Sequence, residues 1–395
     1  MSSPGGARGS VFVHVFGRTD VGRTREHNED AFVVADLTAD DASLQPSVRT
    51  HTVGERGSLF MVADGMGGAA AGEIASEMAT NIVLRELRSA WMAVPTPTAE
   101  AFASALKHAA TTANAEINAY AANHPEYRGM GTTATIAGLF ADKLYLVQVG
   151  DSRAYLVRDG VARQITKDQS LMQKLVEAGE ITEEEAERSE RRNIILQALG
   201  PEASVKVDLT HQQLRTGDVL VLCSDGLSGQ VSRDQIGEVV RDEPDLMVVC
   251  KRLIDMANAV GGPDNITVVA ARFDGEGLTA TTADDEIGHR VFPLAEASNT
   301  PPMGLDRVMG EESQRTTVPV RAVTRDMVRP AIDEEAPLVS DERRARGRMM
   351  QRVLLGALVV AVIAAAAWWI AHVMNRGTSA AADPQTSPSA QNPRD

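Results

Sequence analysis

Residues 58–68 read SLFMVADGMGG. Leu59 to Ala63 is an apolar run short and bulky enough to be a buried strand. It ends on an acid, Asp64, followed by Gly65, Met66, Gly67 and Gly68. A carboxylate at the end of a core strand is costly unless something cationic meets it. Glycines beyond it let the backbone turn sharply or approach a ligand closely. One such end fits an ordinary strand, turn and helix, but this chain repeats the arrangement. DVLVLCSDGLSG (218–229) runs to Asp225, and KLYLVQVGDSRAYLV (143–157) sets Asp151 after an apolar run. GGPDNITVV (261–269) sets Asp264 before one. GRTREHNEDAFVVA (22–35) places Glu29 and Asp30 before another, with Arg25 upstream. Five strand-end acidic places in one region imply a shared purpose.

The surrounding pattern is that of antiparallel sheets. VFVHVFGR (11–18) alternates as a half-buried strand does. Residues 131–150 read as a hairpin turning at Ala141-Asp142, and 153–165 as a second one in which Asp159-Gly160 favours a tight type I′ turn. Helical segments are expected over 70–89, 99–123, 233–241 and 245–259, the first carrying an apolar stripe of Ile74, Met78, Ile82 and Leu87. Strands and helices segregated in this way predict an α+β fold, a four-layer αββα sandwich of two antiparallel sheets flanked by helices. The strand-end acids would then share one rim. Residues 165–200 are highly charged, with a capping box from Thr182 to Glu185, and read as a small exposed insertion near that rim.

The chain has 395 residues, more than one compact domain usually needs, and a formal net charge of -15. Such acidity argues against sequence-independent nucleic-acid binding. The only cysteines, Cys223 and Cys250, lack ligand-spaced neighbours and read as reduced core residues. Composition divides the chain into a flexible N-terminus (1–10), a domain of alternating strand-like and helix-like segments (11–274) and a disordered linker (275–342), in which 318–323 has short-strand character. A basic juxtamembrane segment (343–352), a transmembrane helix (353–373) and a short extracytoplasmic tail (374–395) follow. Residues 353–373 contain no Asp, Glu, Lys or Arg, and a helix of that length rises about 30 Å, one bilayer core. Arg343, Arg344, Arg346, Arg348 and Arg352 crowd its N-terminal side. By the positive-inside rule, the expectation is a single-pass protein of the cell membrane with its large N-terminal domain in the cytoplasm.

Carboxylates without His or Cys partners suit hard cations such as Mg²⁺ or Mn²⁺ rather than Zn²⁺. Arg25 offers a planar donor fork for phosphate oxygens, or else ion-pairs with Glu26 or Glu29. Ions, the water they activate and an arginine together make a phosphate hydrolase. No Ser–His or Cys–His nucleophile arrangement is visible, and GMGTTAT (129–135) lacks the lysine of a nucleotide-binding P-loop.

In order along the chain, RTREHNEDAF, VADGMGG, GMGTTAT, VGDSRAYLV, CSDGL and GPDNITVV resemble the motifs of bacterial metal-dependent protein phosphatases of type 2C. The likeness spans 11–273, with 165–200 similar to that family's flap. It implies hydrolysis of phosphoserine and phosphothreonine in proteins by a metal-activated water at a dinuclear Mn²⁺ or Mg²⁺ centre, with a third, weaker ion. By the same resemblance Asp64 bridges two ions, the Gly65 carbonyl binds one of them, and Asp225 and Asp264 complete the other's shell. Glu29 faces the second ion with Asp30 beside it, Asp151 joins Asp225 at the third, and Arg25 binds the phosphate. Asn265 and Ser152 read as structural. The implied partners are phosphoproteins, with membrane-anchored Ser/Thr kinases and their substrates the natural targets of a tethered, monomeric catalytic domain. The alternative is a pseudophosphatase that binds phosphoproteins without turnover. Three positions depart from the family's usual residues: Met66 and Ala69 where many members carry His, and Gln169 within Asp168-Gln169-Ser170. With no His at these places, the proton for the leaving alkoxide is expected to come from a metal-bound water.

Overall fold

The computed structural model describes residues 9–39, 49–67, 71–189, 191–282 and 286–294. Strand β1 (Phe12–Asp20) alternates as expected, with Val13 and Val15 buried and Phe12 exposed. It pairs antiparallel with β12 (Ile266–Asp274) along the full length of both, so the two ends of the domain lie side by side. Around them the first sheet runs β3 (Arg49–Thr52), β1, β12, β11 (Val219–Cys223), β8 (Arg153–Arg158) and β9 (Val161–Gln164). The second runs β10 (Asp208–Gln213), β7 (Lys143–Val149), β6 (Ala134–Phe140), β4 (Ser58–Met66) and β2 (Asp30–Asp36). A two-residue strand, β5 (Gly131–Thr132), extends the pairing at the end of β4. Every pairing between these strands is antiparallel. Both short turns fall where the sequence places them: Ala141 has φ 55°, while Asp159 and Gly160 have φ 51° and 77°, the left-handed pair of a type I′ turn.

Three apolar layers define the sandwich. Leu59, Met61 and Ala63 of β4 face α1 (Ala71–Glu86) and α2 (Ala99–Asn123), whereas Phe60 and Val62 face the other sheet. Between the sheets Phe60 meets Phe273 edge-on at 6.2 Å. On the far side β11 and β12 are covered by α6 (Arg233–Asp242) and α7 (Leu246–Ala259), while α3 (Leu171–Glu177) and α4 (Glu183–Glu187) belong to the 165–200 insertion. The buried line of α1 is Ala75, Ala79, Ile82 and Val83, while Ile74 and Met78 are only partly covered. Of the expected stripe, Ile82 and Leu87 are buried, while Ile74 and Met78 lie on the flank of a contact made close by small side chains. Alternation along β4 has a functional result: Asp64 continues the face of Phe60 and Val62 and is aimed between the sheets.

Two segments differ from the sequence expectations. Strand β4 runs on through Gly65 and Met66, because these residues pair with Thr132 and Gly131 of β5. The stretch expected as linker from 275 onward begins with ordered chain. The His211 N–H donates to the Arg290 carbonyl at 2.9 Å and the Phe292 N–H to the Leu209 carbonyl at 3.0 Å. The Phe292 ring packs on Tyr145 and His211 at 5.2 and 5.5 Å. This strap satisfies the open edge of β10, a backbone interaction to which composition is blind. The span 353–373, the strand character at 318–323 and Ala69 lie outside the described residues. Among the described residues no helix is long and apolar enough to cross a membrane.

Candidate active site

The expected acids do share one rim. Asp30 opens β2 and stands directly opposite Asp64 across the ladder, an arrangement of like charges that is unfavourable in isolation. The Asp64 backbone is held from both sides. Its N–H donates to Thr133 Oγ1 at 2.9 Å, and its carbonyl accepts from the Thr133 N–H and from Thr132 Oγ1, each at 2.9 Å. Thr133 Oγ1 in turn shares a hydrogen bond with Ser152 Oγ at 2.8 Å, next to Asp151. Glu29 is placed by Asn265, whose Oδ1 accepts the Glu29 N–H at 2.8 Å. The Asn265 amide donates to the Val21 and His27 carbonyls at 2.9 Å, tying the Arg25 turn to the start of β12. Asp225 begins the short helix α5 (Asp225–Ser228), where Gly226 lies against the Asn265 carbonyl so closely that a side chain there would collide with it. Asp151 follows Gly150, whose φ of +97° turns the chain out of β7.

The charges are poorly compensated by protein. Ser224 Oγ donates to Asp30 Oδ2 at 2.7 Å, but Asp30 Oδ1 is buried without a partner among the described residues. Burial pushes the Asp30 carboxyl up to about 7 against the opposing pull of the Thr267 and Ser224 hydroxyls, with Asp225 and Asp264 adding to the rise. Burial and then Asp225 push Asp151 up to about 8. Asp64 is raised well above the carboxylate range, by burial first and then by Asp30, Asp225, Asp151 and Asp264. Glu29 and Asp225 are raised as well, chiefly by burial. Arg25 Nη2 pairs with Asp264 Oδ2 at 2.8 Å rather than with Glu26 or Glu29, with 47% of the side chain exposed. Among the described residues no three of these acids close around one point at ligand spacing. They repel one another, and Arg25 draws Asp264 to itself. The donor set still fits a hard cation. It is all oxygen, it includes an orphaned buried carboxylate oxygen, and burial pushes Glu29, Asp30, Asp64, Asp151 and Asp225 toward the protonated form unless positive charge is supplied.

These residues line a cleft of about 500 Å³ in which Arg25, Glu29, Asp64, Asp151, Asp225 and Asp264 all take part. Asp30 sits behind them, 9% exposed. Sequence reasoning missed three features. Thr132 and Thr133 read only as the start of a hairpin strand, although they clamp Asp64. Asn193 and Ile195 of the 165–200 insertion form part of the cleft wall, and nothing in their residue types signals it. Gln169 bridges elements as well: its Oε1 accepts the Gly150 N–H at 3.1 Å and its own N–H donates to the Gly150 carbonyl at 2.8 Å.

A helix-covered pair of antiparallel sheets, with carboxylates and one guanidinium gathered at a single rim, defines a phosphohydrolase. The profile of the family described as Protein phosphatase 2C matches residues 34–268, and the chain belongs to that family. It is 39% identical over 263 residues to the serine/threonine phosphatase Stp of Listeria monocytogenes, covering 66% of this chain and 96% of that protein. The crystal structure of the Mycobacterium tuberculosis serine/threonine phosphatase PstP/Ppp superposes with a TM-score of 0.55 at 37% identity, over 67% of this chain and 99% of that one. The catalytic domain of PstP in complex with two manganese ions gives a TM-score of 0.54 at 36% identity, with the same coverage.

Proposed function

We propose that this chain hydrolyses phosphoserine and phosphothreonine in proteins with the help of two Mn²⁺ or Mg²⁺ ions and a third, weaker one. The observation that carries the reading is the opposition of Asp30 and Asp64 across the β2–β4 ladder, with one Asp30 oxygen buried and unpartnered. The arrangement is hard to sustain at neutral pH without cations. Asp64, the Gly65 carbonyl and Glu29, with Asp30 behind them, would hold one ion. Asp64, Asp225 and Asp264 would hold another, and Asp151 with Asp225 the third. Bound there, such ions supply Lewis acidity and an activated water.

The chain's own residues do the rest. Threonines 132 and 133 fix Asp64 through its backbone, so the central carboxylate does not swing away when its charge changes. Arg25, half-exposed at the mouth of the cleft, exchanges Asp264 for two phosphoryl oxygens when substrate arrives and stabilises the charge gathering there. Met66 lines the cleft but has no proton to give, so the leaving alkoxide takes its proton from water. Aryl phosphates, whose leaving groups need less help, should therefore turn over faster than alkyl ones.

We further infer a membrane tether at 353–373 with the catalytic domain on the cytoplasmic side. The run free of Asp, Glu, Lys and Arg and the five arginines that precede it support that topology. A tether of this kind raises the effective concentration of substrates held at the same membrane, such as anchored kinases and their targets. Phosphate release from a phosphothreonine peptide, followed with Mn²⁺, with Mg²⁺ and with chelator, tests the chemistry. Release that needs metal and vanishes in Asp225→Asn is the expected result. Peptide binding without release under any metal would instead make this a recognition module.

A further inference from the structure

The wall of the cleft contributed by the 165–200 insertion has an open backbone edge. Ile195 stands opposite Ser170 in an antiparallel bridge. The flanking bonds run from the Leu171 N–H to the Ile194 carbonyl at 2.9 Å and from the Leu196 N–H to the Gln169 carbonyl at 2.7 Å. In such a pair the two opposed residues turn their own N–H and C=O groups away from each other. Among the described residues neither the N–H nor the C=O of Ile195 has a hydrogen-bond partner. Leu199, four residues further on, exchanges both of its groups with Thr132 of β5. Ile195 lines the same cleft as Arg25 and Asp64, and its neighbours Ile194 and Leu196 are 43% and 41% exposed. A strand edge beside a reaction centre, with a free donor and acceptor and apolar flanks, is suited to main-chain pairing with an extended peptide.

We propose that the edge at Ile195 is a subsite for the main chain of the substrate. A phosphoprotein segment lies extended beside 193–197, accepting from the Ile195 N–H and donating to its C=O while the phosphorylated side chain reaches toward Arg25. The inference rests on the functional reading above. Its occupant follows from position, because whatever pairs with Ile195 hangs its side chains over the acids. A single bridge position is also too short an edge to hold a folded partner. Recognition through the main chain tolerates many sequences but requires that the phosphorylated residue be out of helix.

The test leaves the full-length protein unaltered and changes the peptide. Each amide within three residues of the phosphothreonine is replaced in turn by an ester, which removes the donor and adds no bulk. One such replacement should raise KM by about 5- to 10-fold, the worth of a single hydrogen bond, with kcat within twofold. In Ile195→Pro, which removes the N–H on the protein's side of the pairing and keeps the C=O, KM for the parent peptide should also be raised, and the ester should raise it further. Equal KM across the whole ester series with the unaltered protein overturns the subsite alone. Failure to release phosphate from the parent peptide overturns the functional reading and the subsite with it.

Discussion

Replacing Asp30 by Asn should stabilise the metal-free protein. Asn keeps the shape and can still accept from Ser224 Oγ, but it removes one of the two charges that face each other across the β2–β4 ladder. The folded-state carboxyl lies at about 7 against an ordinary value of 3.8. At ~1.4 kcal/mol per unit, ionising it in the folded protein costs at most ~4 kcal/mol. Asp64 competes for the same proton, so about half of that, ~2 kcal/mol, is the expected gain at pH 8. The sign follows from linkage. Between the two values the folded state holds a proton that the unfolded state has lost, so stability of the unsubstituted protein falls as pH rises from about 4 to about 7. The advantage of the variant should shrink on acidification, to below ~1 kcal/mol by pH 5 on the same halving. Urea denaturation in chelator, read by tryptophan fluorescence at pH 5 and pH 8, measures both numbers. With saturating Mn²⁺ the ranking should reverse, since the variant gives up negative charge beside the ion. A variant no more stable than its parent at pH 8 in chelator, or one whose advantage grows at pH 5, would refute the claim that uncompensated charge strains this rim.

Thr133→Val leaves the Asp64 N–H without its acceptor and should cost about 1–3 kcal/mol. A lowered Mn²⁺ affinity in calorimetric titration should accompany the loss. Arg158→Met strands the Asp218 carboxylate, whose side chain is 1% exposed, and should cost about 3–5 kcal/mol. Because that pair sits at the opposite end of β11 from Asp225, kcat per folded molecule at low temperature should be unchanged. Phe292→Ala loosens the strap on β10 and should cost about 1–2 kcal/mol. Amide exchange at His211, whose N–H is covered by Arg290, should accelerate.

The sandwich was legible because its determinants are local. Alternation in 11–18, the Asp159-Gly160 turn and the Ala-rich segments each dictate their own element, and the acids marked the rim by breaking the apolar runs. What escaped the sequence is whatever depends on which backbone meets which. Thr133 looks like any threonine at the start of a hairpin strand until the fold brings it against Asp64. Ile195 looks like a misplaced core residue until the chain returns past Ser170. The strap at 286–294 has the composition of linker and is held by an edge strand that accepts almost any backbone. Arg25 was identified as a rim cation, but its choice of Asp264 over Glu26 or Glu29 required the approach of a strand that begins more than two hundred residues later.

That late strand has a consequence for biosynthesis. β12 is among the last elements of the domain to leave the ribosome, yet it lies between β1 and β11 in the finished sheet. Until it emerges, β1, made first, has no central neighbour, and the apolar faces of both strands wait uncovered while the intervening chain is translated. Sheets closed by their most distant segments form slowly, and exposed strands are where nascent chains stick to one another. Overproduction should therefore depend on slow synthesis or chaperone supply. Because the two ends finish side by side, a gene permuted to join them and to open at the Ala141-Asp142 turn would place β12 and β1 next to each other in translation and ease that dependence.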